Sequence, residues 1–334
     1  MLNLSGLVKW HQPLIMLITF NSYAGEWTDI KIPGAKCGDG SDYSVFIQGK
    51  SKEKLLVEFM GGGVCWDYNS CFKRSSLFPW LGRYPIINSY SIVTANKSPR
   101  NPFKGHSKIY FPYCTADVHS GSHISNYQGK KVYHYGGRNT EMAFKYLVTR
   151  KLIDPEGFKE LVVYGASAGA IASLVHSYHF QNYFPKVEDK FMFVDSPGLH
   201  FGENFWKKFD KDMIADFKDS FTAIGLNNCF NDGAIARFMG PVLENYSDWT
   251  IGFIYGLRDS VMSEVFGEIS PERHRSLILS TDGLPFVARD KENVSFWLKD
   301  TSIHTFMLSK YTSGMRSVEN ESVDEFVSRL YFNK

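Results

Sequence analysis

Apolar and polar positions along this chain fall into short apolar runs separated by longer amphipathic stretches. Tyr43 to Gln48, Leu55 to Met60, Ser91 to Ala95 and Ile109 to Tyr113 are apolar or β-favouring and are bounded by glycine, proline or asparagine. This pattern predicts strands. Asn139 to Arg150 repeats at helical spacing, with Met142, Ala143, Tyr146 and Leu147 on one face. Further strands are expected in the run ending at Tyr164, at Phe191 to Val194 closing on Asp195, at Thr250 to Tyr255 and at Val294 to Leu298. A helix should start at Ala168, and Glu319 to Leu330 reads as a closing amphipathic helix. Strands alternating with helices predict an α/β chain with a mainly parallel sheet covered on both faces. Phe201 to Tyr246, rich in phenylalanine and charge, reads as a helical insertion over one end of the sheet.

The N-terminus departs from this alternation. Lys9, the apolar run Leu14 to Phe20 and the small-x-small site Ser22-Tyr23-Ala24 have the layout of an export signal. The run is too short to cross a bilayer. Residues 1–24 are therefore expected to be removed, leaving 25–334 as one domain with no linker, repeat or membrane segment. That places the protein outside the cytoplasm, secreted or periplasmic.

Composition narrows the classes. With 43% hydrophobic and 16% aromatic residues the chain can bury a full core. A net charge of +2 without an arginine- or lysine-rich stripe excludes a nucleic-acid footprint. Five cysteines suit an exported protein. Cys65 and Cys71 flank a turn-rich stretch that could close a small disulfide loop. Cys37 and Cys114 would form the second pair and leave Cys229 free. Spacing alone leaves that connectivity open, and no pair has the two-residue spacing of zinc modules.

The segment Leu161-Val162-Val163-Tyr164-Gly165-Ala166-Ser167-Ala168-Gly169 carries the chemistry. A β-favouring run enters Gly-x-Ser-x-Gly and leaves as a small-residue helix, the context that exposes a serine on a sharp turn. A serine hydrolase on such a sheet uses the chain order Ser, then an acid, then His. His304 follows the last predicted strand and suits the base, whereas His274 sits in the charged run Pro271 to Arg275 and reads as a solvated helix end. Asp259, projected by the turn Gly256-Leu257-Arg258, and Asp195, ending the preceding strand, compete to orient the imidazole. The turn favours Asp259; Asp195 precedes Ser196-Pro197-Gly198, where an aspartate commonly caps a turn. The oxyanion needs unobstructed backbone amides. Gly62 and Gly63, in Gly61-Gly62-Gly63-Val64 directly after a strand, and Ala168 after the nucleophile are the candidate donors. Asp117, His119 and His123, or His176 and His179, offer metal-ligating types without a standard third ligand, so no metal or other cofactor is expected.

Several stretches in fixed order resemble the pectin acetylesterase family, which also holds an animal lipid deacylase. They are Pro33 to Gly40 around Cys37, Gly61-Gly62-Gly63-Val64-Cys65, Phe111 to Gly121, Gly137-Arg138-Asn139 and the serine turn. The resemblance implies an α/β-hydrolase-like serine esterase with Ser167, Asp259 and His304 as triad. It also implies the pairs Cys37–Cys114 and Cys65–Cys71. Val64 stands where the family has tryptophan, and Ala166 where it often has cysteine, which bears on the acyl pocket. The expected function is removal of acyl groups, foremost acetyl, from an O-acylated carbohydrate by a monomer. A deacylase for longer chains is favoured by the aromatic insertion, and a non-catalytic glycan binder is the other alternative.

Overall fold

A computed structural model describes residues 27–73, 93 and 99–333. The expected signal at residues 1–24, and the strand expected at Ser91 to Ala95 apart from Val93, lie outside the described residues.

Among the described residues, ten strands follow one another in chain order. They are β1 (Thr28–Lys36), β2 (Asp42–Gln48), β3 (Lys54–Phe59), β4 (Ser107–Phe111), β5 (His123–Tyr127), β6 (Lys130–His134), β7 (Glu160–Ala166), β8 (Asp189–Asp195), β9 (Thr250–Gly256) and β10 (Val294–Lys299). Eight form one sheet in the order β1-β2-β4-β3-β7-β8-β9-β10; β5 and β6 pair as a separate hairpin. β1 and β2 enter antiparallel, and every pair from β4 to β10 is parallel. This is an α/β-hydrolase-like arrangement.

Central β7 is buried along its whole length, as a parallel strand covered on both faces must be. Alternate residues feed two cores: Leu161 and Val163 face one, Val162 and Tyr164 the other. The first core takes helices α1 (Gly136–Thr149) and α2 (Ala168–Phe180). The second takes the closing helix Val323–Phe332 through Phe326, Val327 and Leu330. That helix begins four residues later than the sequence pattern suggests, because Ser322 and Glu325 form a capping box that fixes its start.

Three strands, β1, β5 and β6, have no expected counterpart. β1 is mostly exposed and interrupted by Pro33 and a register shift, features an edge strand tolerates. The β5–β6 hairpin turns at Gln128-Gly129, both with positive φ, as a twist-matched two-residue turn requires. The insertion is one long helix, α3 (Lys211–Ala223), flanked by short turns. Its first amides are satisfied by the Asp210 side chain.

Candidate active site

Ser167 joins β7 to α2 with φ 57° and ψ −123°, a conformation that L-residues rarely adopt. The surroundings hold it there. A Cβ on Gly165 would lie 1.9 Å from the Gly169 carbonyl oxygen, and one on Gly169 would lie 2.1 Å from that of Phe59. Only glycine at both positions lets the strand, the helix and β3 approach this closely. The Ser167 amide donates to the Asp195 carbonyl at 2.8 Å, so the turn is pinned to the end of β8.

The ends of β8 and β9 carry the two competing aspartates to different partners. Asp259 Oδ2 lies 2.7 Å from His304 Nδ1, while its Oδ1 accepts the amides of Val261 and Met262 at 2.9 and 3.0 Å. The buried carboxylate is thus held by its own turn and fixes the imidazole from one side. Asp195 Oδ2 instead accepts the amides of Phe306 and Met307, both at 2.8 Å, and Ser196 Oγ accepts that of Thr305 at 3.1 Å. Burial pushes the Asp195 carboxyl up to about 6 despite those amides. Asp195 therefore anchors the loop on which His304 sits. His304 Nε2 and the Ser167 hydroxyl have no hydrogen-bond partner among the described residues, a common state before substrate arrives.

Gly61-Gly62-Gly63 runs beside the elbow. A Cβ on Gly61 would come within 2.3 Å of the Ala166 carbonyl oxygen, so this glycine permits the close approach. Among the described residues, none accepts the amides of Gly62, Gly63 or Ala168. Cys65 closes on Cys71 just beyond this loop, and Cys37 is joined to Cys114 after β4. Cys229 is a buried free thiol pushed up to about 12 by burial.

Ser167 and Ala168 open, with Gly63 and Val64, into a narrow apolar cavity of about 60 Å³. Its far wall comes from the insertion: Phe201, Phe205, Trp206 and Phe209 before α3, then Phe217 and Phe221 on it. Ile171 of α2 and Met262 complete much of the rest. Because the Met262 amide binds Asp259, the acid's turn forms part of the same wall. Apart from the serine hydroxyl, the side chains facing this space are apolar.

His274 is not on a solvated helix end; it is buried, with Nδ1 3.0 Å from the Leu257 carbonyl oxygen. Charged neighbours in sequence concealed the inward face of that helix. Asp117, His119 and His123 do not converge on one point. Asp117 accepts Thr115 Oγ1 and the Gly136 amide, His119 faces the Met60 carbonyl, and His123 pairs with Asp216. His176 is buried against the His119 carbonyl. The sequence points to the insertion's aromatics only in bulk; that six of them line one cavity with Ser167 is visible only in the fold.

A strained hydroxyl, an imidazole held by a carboxylate and amides without acceptors are the parts of nucleophilic acyl transfer. The profile of the family described as Pectinacetylesterase matches residues 27–221. The chain is 25% identical to pectin acetylesterase 5 of Arabidopsis thaliana over 193 residues, covering 54% of this chain and 44% of that protein. It is 27% identical to the palmitoleoyl-protein carboxylesterase NOTUM of Schmidtea mediterranea over 156 residues, 42% of this chain and 27% of that one. These matches span less than half the length of either relative. The structure of the Wnt deacylase Notum from Drosophila superposes with a TM-score of 0.66 at 14% identity, over 91% of this chain and 92% of that one. At that identity the likeness concerns the fold.

Proposed function

The chain belongs to the pectinacetylesterase family, and from that membership we propose that it is a serine carboxylesterase that strips an acyl chain from an O-acylated substrate. Ser167 Oγ attacks the ester carbonyl carbon and His304 Nε2 takes its proton. Asp259 holds the imidazole with Nδ1–H toward itself. The tetrahedral oxyanion accepts hydrogen bonds from the amides of Gly62, Gly63 and Ala168. Its collapse breaks the ester C–O bond, and the leaving alcohol takes the proton from His304. A water then gives a proton to His304 and attacks the acyl-serine, releasing the carboxylate and restoring Ser167. The chemistry calls for no cofactor.

The observation that carries this reading is Ser167 held on its strained turn at the mouth of an apolar cavity whose wall includes the turn of Asp259. The same cavity favours an acyl chain longer than the acetyl group expected from sequence. Its lining is apolar except for Ser167 and includes six aromatic side chains from the insertion, so methylenes beyond the acetyl group would leave water for apolar contacts there. The acetylated-carbohydrate reading draws its support from what the plant relatives are named for. A merely binding relative would have no use for a serine held on a strained turn. Two disulfides suit an exported enzyme, a single domain over 25–334 after removal of residues 1–24. Treatment with a fluorophosphonate, followed by peptide mapping, should place one adduct on Ser167. Folded protein that takes no label there would contradict the assignment.

A further inference from the structure

Both ends of the three-glycine loop are held by a pair of buried rings that no catalytic step uses. His119 Nε2 lies 2.8 Å from the Met60 carbonyl oxygen, and Tyr113 donates its hydroxyl to that of Gly63 at 2.6 Å. The same phenol accepts the Val118 amide at 2.7 Å. The two rings lie 4.7 Å apart, inclined at 32°. Tyr113 also presses on the middle of the loop, since a Cβ on Gly62 would fall 2.5 Å from its ring.

Peptide planarity turns these contacts into an orientation. Fixing the Met60 carbonyl fixes the plane that carries the Gly61 amide. Fixing the Gly63 carbonyl fixes the plane that carries the Val64 amide. Between those two clamped planes lie the two that bear the Gly62 and Gly63 amides, which are without acceptors among the described residues. The clamp thus holds the donors' frame while leaving the donors themselves free.

The segment that carries the clamp is itself over-determined. Ala116, Val118 and His119 all have positive φ, at 53°, 49° and 57°. Asp117 holds them there: its Oδ1 accepts Thr115 Oγ1 at 2.7 Å and the His119 amide at 3.1 Å, and its Oδ2 accepts the Gly136 amide at 2.6 Å. Val64 bridges to Asp117, and the Cys65 amide donates to the Ala116 carbonyl. His176 Nε2 meets the His119 carbonyl at 2.7 Å. Strain of this kind persists where the surroundings fix it, and it clusters at sites that need preorganisation. Burial holds His119 down at about 4, neutral at ordinary pH, and its neighbour at Nε2 is an acceptor, so Nε2 bears the proton.

We infer that Tyr113 and His119 are positioning residues for the oxyanion donors, acting through the backbone of Gly61 to Gly63. This rests on the esterase reading above. Tyr113→Phe keeps the ring and removes only the hydroxyl. It should lower kcat ~10- to ~100-fold, less than the ~10²- to ~10³-fold of losing a donor outright, with KM within ~3-fold of wild type. Affinity for an alkyl boronic acid, whose tetrahedral adduct on Ser167 demands the same donors, should fall in parallel. A purely structural role would lower the melting temperature without selectively weakening the boronate. Wild-type kcat and boronate affinity in folded Tyr113→Phe would overturn the inference. Should that variant not fold, His119→Gln, which keeps an N–H donor, must retain more activity than His119→Ala; equal losses would overturn it. A wild-type protein that neither hydrolyses esters nor takes a fluorophosphonate refutes the esterase reading itself. A labelled, active wild type with an indifferent Tyr113→Phe refutes the clamp alone.

Discussion

Asp259 Oδ2 sits 2.7 Å from His304 Nδ1, whereas Asp195, one strand away, gives its carboxylate to the amides of Phe306 and Met307. The two acids thus divide the work of presenting one histidine: Asp259 orients the ring and Asp195 anchors the loop beneath it.

Asp259→Asn should therefore lower kcat by at least ~10³-fold, because the imidazole loses its tautomer and orientation. Asp195→Asn keeps an oxygen able to accept both amides and should reduce kcat less than ~10-fold by the same estimate of role. Steady-state kinetics on an activated ester check this. The reverse ranking would assign the orienting acid to β8.

Efficiency on p-nitrophenyl esters should rise from acetyl toward six to eight carbons, since each methylene entering the apolar cavity gains up to ~0.8 kcal/mol. Ile171→Trp, which fills the cavity from α2, should suppress the longer esters and spare the acetyl ester. A maximum at acetyl in the wild type would contradict the acyl assignment of the cavity.

Glu160, at the base of β7, titrates in opposite senses from two causes. Burial raises its carboxyl, but hydrogen bonds from His106, Tyr331 and Lys54 together outweigh that and bring it to about 2, below the ordinary 4.5. A depressed folded-state value gives stability that is complete above the unfolded value and is lost as pH falls from about 4.5 toward 2. Glu160→Gln should melt below wild type at pH 7, and the gap should narrow at pH 3. A gap that widens on acidification would reverse the sign. Comparison with this variant matters because Asp117 and Asp195, both raised to about 6 by burial, oppose the trend.

Removing the Cys37–Cys114 bridge, which spans 77 residues, should destabilise more than removing Cys65–Cys71, which spans 6. Loop-closure entropy gives ~4 kcal/mol against ~2 kcal/mol. Paired Cys→Ser variants compared by urea midpoint check the order; a smaller shift for the long bridge would contradict it.

The parallel strands and the serine turn were legible because their signals are local: apolar runs of strand length, and glycines at positions where a Cβ would strike a neighbouring backbone. β1 was not legible, since an exposed edge strand with Pro33 lacks alternation. His274 misled because Glu272, Arg273 and Arg275 surround it in sequence, while its own side chain turns inward to Leu257. The sequence favoured Asp259 over Asp195 through its turn and the family resemblance, but it gave Asp195 no role of its own. That role shows only in the reach of its carboxylate to the amides of Phe306 and Met307. The cavity is a tertiary product: the rings at 201–221 line it together with Ser167 although they lie far from it in sequence.

On the proposed mechanism Ser167 carries a covalent acyl intermediate. Rapid-quench mass spectrometry of the protein mixed with p-nitrophenyl octanoate tests it most directly. Mixing should give a burst of one p-nitrophenol per chain, an octanoyl mass on the peptide containing Ser167, and loss of both in folded Ser167→Ala. Turnover by Ser167→Ala at the wild-type rate, or an octanoyl group trapped on another residue, would contradict it.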